Sequence, residues 1–112
     1  MIVDDDREYR EAVGDLLRDE GYRAVTVGTL DEARNAIRLA RPAVLLLDLE
    51  LLGERGDDLL EELDGRKSAP ATIVVSGEID GRRRARRYGR AFVAKPAIHD
   101  LLAQVAAAAA AR

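Results

Sequence analysis

Cysteine is absent from the chain, so neither a disulfide nor a thiolate metal site can form. Tryptophan is absent too, and aromatic residues make up only 4%, so the core must be packed from aliphatic side chains. No apolar stretch approaches the ~18 residues that a membrane-spanning helix needs. The opening run Met-Ile-Val-Asp-Asp-Asp places acid where a signal peptide would carry a basic and then an apolar region. A cytoplasmic location without a membrane partner is the resulting expectation. A positive surplus is missing as well. The net charge is −3, which gives no global pull toward nucleic acid or an anionic surface.

What is present is a set of short apolar runs, each ending in a polar group. Val44-Leu45-Leu46-Leu47 ends at Asp48, with no Lys, Arg or His among its near neighbours in sequence. Ile2-Val3 runs into Asp4-Asp5-Asp6, Thr72-Ile73-Val74-Val75 into Ser76-Gly77, and Ala91-Phe92-Val93-Ala94 into Lys95-Pro96. Runs of this length read as buried strands. In an open parallel sheet their ends gather on one rim, where ligands bind.

Helical patterns alternate with these strands. Tyr9, Ala12, Val13, Leu16 and Leu17 form one apolar face, with Asp6 as a cap and Gly21 as a stop. Residues 23–27 give a modest strand. Thr29 and Glu32 have capping-box spacing for a helix with Leu30, Ala33, Ala36, Ile37 and Ala40 inside, stopped by Pro42. A strand at 43–47 follows, then a loop broken by Gly53 and Gly56. A short helix carries Leu59, Leu60 and Leu63. Residues 65–70 form a loop before a strand at 71–75. A helix is expected at 80–88, a strand at 91–94, and a last helix with Ile98, Leu101, Leu102 and Val105 inside. Ala106 to Ala111 continues it, since alanine is the best helix former. Five β-α units in strict alternation predict a single α/β domain over 1–112, a doubly wound parallel five-stranded sheet.

Asp4, Asp5 and Asp48 would then crowd one rim. Like charges that close repel unless a cation sits among them. A hard divalent ion with oxygen ligands answers this, and Mg²⁺ suits a few carboxylates while keeping waters for a phosphate. Lys95 adds a point charge for an anion, and Ser76 adds a hydroxyl donor. Together they describe phosphoryl transfer to an aspartate.

On these residues the whole chain resembles the receiver domain of bacterial two-component response regulators. The resemblance rests on Asp4-Asp5, Asp48, Ser76-Gly77, and Phe92 three residues before Lys95-Pro96. It implies a flavodoxin-like fold with strand order 2-1-3-4-5. It implies that Asp48 accepts phosphate from a histidine kinase or histidine phosphotransfer protein. Asp5, Asp48 and the backbone carbonyl of Glu50 would hold Mg²⁺, with Asp4 on a metal-bound water. Lys95 would pair with Asp48 and then the phosphoryl group. Ser76 and Phe92 would act as the switch, and the helix 4–strand 5–helix 5 face would signal to an effector or a second copy. The family usually has a cis Lys-Pro bond at the position of Lys95-Pro96. The chain departs from the family at Leu51-Leu52, where Met-Pro is usual, and at Arg55-Gly56, where Asp-Gly is usual. These changes touch loop rigidity and remove no ligand. The first strand and the Ser76–Phe92 interval are also short for the family.

Taken singly, each motif has a plainer use. Asp4-Asp5-Asp6 suits a helix N-terminus, Ser76-Gly77 a turn, Lys95 a solvated surface; their joint register with the strand ends favours the site. His99 reads as an ordinary residue near the start of the last helix. Glu50 and Glu78 read as solvent-facing carboxylates, or as groups lining a water path to the phosphate. Arg82, Arg83, Arg84, Arg86 and Arg87 read first as a solvated face and second as a surface for an acidic partner. No DNA-reading motif accompanies them. Two other classes share these residues: a phosphate-independent interaction module, and a small dehalogenase-like phosphatase. The latter family expects a second Asp two residues after the nucleophile, where this chain has Glu50.

Overall fold

The protein is described from a computed structural model covering residues 1–77, 80–95 and 98–111. Its elements run β1 (Ile2–Val3), α1 (Arg7–Asp19), β2 (Thr26–Val27), α2 (Leu30–Ala40), β3 (Val44–Leu47), β4 (Glu50–Leu51), β5 (Glu54–Arg55), α3 (Gly56–Leu63), β6 (Ala71–Ser76), α4 (Gly81–Arg87), β7 (Ala91–Ala94) and α5 (Ile98–Ala110). The main sheet has the order β2-β1-β3-β6-β7, and every pairing in it is parallel. This is the expected 2-1-3-4-5 arrangement, with β6 and β7 as the fourth and fifth sheet strands.

The helices start and stop where local chemistry dictates. Asp6 accepts the Tyr9 N–H at 3.3 Å, and the Thr29 hydroxyl accepts the Glu32 N–H at 3.2 Å. Each satisfies one of the free N–H groups at a helix start. After α1, the Gly21 and Tyr22 N–H groups return to the Arg18 and Leu17 carbonyls in a Schellman closure. Pro42 follows α2, where a helix cannot continue.

Alternation along the strands builds two cores. Val3, Leu45, Leu47 and Val74 meet Leu30, Ala33, Leu59, Leu60, Leu63 and Ala85 on the α2–α3–α4 side. Ile2, Leu46, Ile73, Val75 and Val93 meet Val13, Leu17, Leu101 and Val105 on the α1–α5 side. Each fully buried Leu or Ile contributes about 1.5–3 kcal/mol relative to exposure. No Trp is needed because both cores are thin and aliphatic.

The expected elements shift in four places. The second strand shortens to Thr26–Val27, because only Val27 of that segment is buried. Ala12 and Ala40 are exposed rather than inward, small side chains at the edge of their helix faces. The expected 53–56 loop is instead an antiparallel hairpin of β4 and β5, turning at Leu52-Gly53 with Gly53 at φ 73°. The basic run is not a uniform solvated face, since Arg84 is 7% exposed.

Candidate functional site

The ladder itself brings the acids together. Asp4 N–H donates to the Val27 carbonyl at 3.1 Å and Asp48 N–H to the Val3 carbonyl at 3.0 Å, so both residues stand one step beyond their strands on adjacent lines of the sheet. Lys95 N–H donates to the Ser76 carbonyl at 3.1 Å, which fixes the ends of β6 and β7 in the same way. Parallel strands put all four ends on one rim.

On that rim Lys95 Nζ donates to Asp4 Oδ2 at 2.6 Å and to Asp48 Oδ2 at 3.1 Å. Carboxylate oxygens of Asp4, Asp5 and Asp48 lie within 4.8 Å of one another. Asp4 and Asp48 are buried and Asp5 is exposed, so the cluster opens to solvent on the Asp5 side. Asp4 Oδ1 also accepts the Asp6 N–H at 2.9 Å, and Asp48 Oδ1 the Glu50 N–H at 3.0 Å. Three carboxylates face one ammonium, which leaves a local charge of −2. Burial pushes the Asp48 carboxyl above its ordinary range, against the Glu50 N–H and Lys95 that pull it down. Burial alone would lower Lys95, but its bonds to Asp4 and Asp48 and their charges outweigh that and raise it.

Oxygens on opposite sides of a Mg²⁺ ion are about 4 Å apart, from metal–oxygen distances of 2.0–2.1 Å. Separations of up to 4.8 Å are slightly wider, so a small inward movement of the carboxylates would let them share one hard divalent ion, which their unneutralised charge favours. Tyr9 is an addition that the helical pattern hid among core positions. Lys95 Nζ sits 4.4 Å from the centre of its ring, so Tyr9 forms the apolar wall behind the ammonium.

Ser76 and Phe92 lie against α4. A Cβ on Gly81 would come 2.9 Å from Ser76 Cβ and 2.9 Å from Phe92 Cε1. Only glycine lets α4 start that close. The Arg82 guanidinium caps the Phe92 ring at 4.7 Å. Ser76 is buried and Phe92 half-buried. His99 is exposed in the first turn of α5. Glu78 and Pro96 lie outside the described residues, and so do the expectations attached to them, the water-path role of Glu78 and the cis Lys95-Pro96 bond.

Glu50 reaches the rim through its backbone, but its side chain turns elsewhere. Arg84 binds the Glu50 carboxylate and both oxygens of Asp57, with Nε to Asp57 Oδ2 at 3.1 Å. Asp80 Oδ1 stands 3.6 Å from the same guanidinium. Burial alone would raise Asp57, but the Arg84 hydrogen bonds and charge outweigh it and hold the carboxyl below its usual range. Sequence reading missed this cluster. A signal existed: Gly81, Arg84, Ala85 and Tyr88 share i, i+3, i+4, i+7 spacing, which marks Arg84 as the inward arginine of the five.

Comparison with known proteins agrees with this architecture. The family model described as "Response regulator receiver domain" matches residues 1–106. The chain is 33% identical over 76 residues to the DNA-binding response regulator MtrA of Mycobacterium tuberculosis H37Rv, covering 68% of this chain and 33% of that protein. It is 34% identical over 82 residues to the sensory transduction protein RegX3 of Mycolicibacterium smegmatis, covering 71% and 36%. The chain thus spans about a third of the length of these relatives. Among solved structures, a putative response regulator from Chloroflexus aurantiacus superposes with a TM-score of 0.88 at 25% identity, covering 97% of this chain and 94% of that one. The receiver domain of NtrX from Brucella abortus gives 0.86 at 29% identity, covering 96% and 94%.

Proposed function

The chain belongs to the response regulator receiver domain family, and from that premise we propose that residues 1–112 form a phospho-accepting switch with Asp48 as the acceptor. Receiver domains are signalling modules rather than turnover enzymes. The observation that carries the reading is the bridge of Lys95 Nζ to both Asp4 and Asp48, inside a carboxylate cluster one cation short of balance.

In this reading a histidine kinase or histidine phosphotransfer protein presents a phosphohistidine. An Asp48 oxygen attacks phosphorus, the phosphorus–nitrogen bond breaks, and the imidazole leaves with a proton from solvent. Asp5, Asp48 and the Glu50 carbonyl would hold Mg²⁺, with Asp4 on one of its waters. When bound, the ion neutralises charge on the transferring phosphoryl group. Lys95 follows the phosphoryl oxygens as Asp48 becomes an acyl phosphate. Ser76 supplies a hydroxyl to the new anion, and Phe92, packed beside it against Gly81, carries the change to α4. The α4–β7–α5 face then meets an effector or a second copy. The DNA binding named for MtrA is not carried over to this chain.

The dehalogenase-like alternative needs a free acid two residues past the nucleophile. Glu50 stands there, but Arg84 binds its carboxylate, which supports the switch over the phosphatase. Acetyl phosphate with Mg²⁺ should add one phosphate, seen by intact mass. Asp48→Asn should add none. Failure of the unaltered protein to take up phosphate, or multiple turnover on small phosphate esters, would overturn the reading.

A further inference from the structure

We propose that Arg84 is a positioning residue for the phosphoryl site: it holds the Glu50 carboxylate away from the metal cluster, so that Glu50 offers only its backbone there. The inference rests on the receiver reading above and adds a residue outside the acidic rim. Glu50 is two residues from Asp48, and its N–H already binds Asp48 Oδ1 at 3.0 Å. Its side chain is half-exposed, so without a partner nothing would keep it from turning toward a divalent ion on the rim. A fourth carboxylate there would strengthen the hold on the ion and repel the incoming phosphoryl dianion.

Arg84 prevents this with a fork suited to carboxylates. Nε and Nη2 take Asp57 of α3, and Nη1 takes Glu50 of β4. Asp57 and Arg84 are 5% and 7% exposed, so the anchoring half of the clasp is built into the interior while Glu50 lies at its open end. Arg84 also stands one helical turn from Gly81, the residue packed on Ser76 and Phe92. The same short helix therefore touches the switch pair at its start and restrains Glu50 three residues on. Arg82, Arg83, Arg86 and Arg87 are exposed, and Arg55, opposite Glu50 in the hairpin, is paired with Asp57 at 3.8 Å.

The test compares Arg84→Met with Asp57→Asn as a double variant, and the same pair with Glu50→Gln added. Pairing Arg84→Met with Asp57→Asn removes one positive and one negative charge, so the net charge is unchanged and no buried Asp57 anion is left alone. Circular dichroism establishes that each variant is folded. Calorimetric titration reads Mg²⁺ affinity, and acetyl phosphate reads the rate of uptake on Asp48. The double variant should bind Mg²⁺ several-fold more tightly and accept phosphate several-fold more slowly. Adding Glu50→Gln should return both toward the unaltered protein. Unchanged Mg²⁺ affinity and rate in the folded double variant would overturn the inference, as would changes that Glu50→Gln leaves in place. Should the unaltered protein itself bind no Mg²⁺ and take no phosphate, it is the receiver reading that fails.

Discussion

Two clusters within this small domain each set three carboxylates around a central cation, and they have opposite character. At the rim, Lys95 is shared between Asp4 and Asp48 while Asp5 faces solvent, and the buried Asp48 is harder to ionise than an ordinary aspartate. Beneath the hairpin, Arg84 grips both oxygens of Asp57, which ionises more readily than an ordinary aspartate. The difference lies in the cations: Arg55 and Arg83 stand 3.8 Å from Asp57 and Asp80 and add positive charge to the second cluster, and the two central groups differ in kind. An ammonium is a point charge that gives each of two carboxylates a single hydrogen bond, whereas a planar guanidinium offers parallel donors in fixed geometry and holds both oxygens of one. The unsatisfied cluster suits a visiting ion, and the satisfied one ties secondary structure together.

Removing each cation separates the two most clearly. Arg84→Met leaves the buried Asp57 with only the looser contact of Arg55 at 3.8 Å, and the expected loss of folding stability is about 3–5 kcal/mol. In urea titrations the gap to the unaltered protein should persist at saturating Mg²⁺. Lys95→Met should cost less, about 2 kcal/mol without metal, because its partners lie at a more open edge. Here Mg²⁺ should close most of the gap by replacing the lost charge. If Mg²⁺ rescued both variants equally, or neither, the distinction between the clusters would be wrong.

Smaller perturbations refine the contrast. Gly81→Ala inserts a methyl 2.9 Å from Ser76 and Phe92 and should cost about 1–3 kcal/mol, with the unfolding midpoint as the measure. Acid titration gives the finest comparison. Asp57 has a folded pKa below its ordinary value of 3.8, so its contribution is complete above 3.8 and fades as the pH drops through the lower folded value. Asp57→Asn should therefore flatten the stability curve below about pH 4 while leaving its shape near neutrality. An unaltered acid limb in that variant would mean that Arg84 does not favour the ionised form.

Much of the rim was legible because strand ends announce themselves. An apolar run that stops at Asp48, and others that stop at Asp4, Ser76 and Lys95, need only the parallel-sheet rule to be gathered in one place. The parts that stayed hidden depend on side-chain direction. Five arginines in seven residues look alike in composition, and only the position of Ala85 and Gly81 on the same helical face singles out Arg84. Tyr9 fits an apolar stripe equally well whether it backs a core or an ammonium. The hairpin was missed because Glu50-Leu51 and Glu54-Arg55 are two-residue strands, too short for alternation to register.

The foot of that hairpin is fixed far more tightly than its tip. A Cβ at Gly56 would lie 2.5 Å from the Asp48 carbonyl oxygen, and the Gly56 N–H closes onto Leu49 at 2.9 Å. Leu52, at the turn, is 87% exposed. Backbone stacked on backbone stiffens this end of the hairpin. Evolution is thus free to lengthen or recut the tip without disturbing the register below, and an engineer wanting to graft a reporter peptide near the rim would find its most forgiving attachment point between residues 52 and 53.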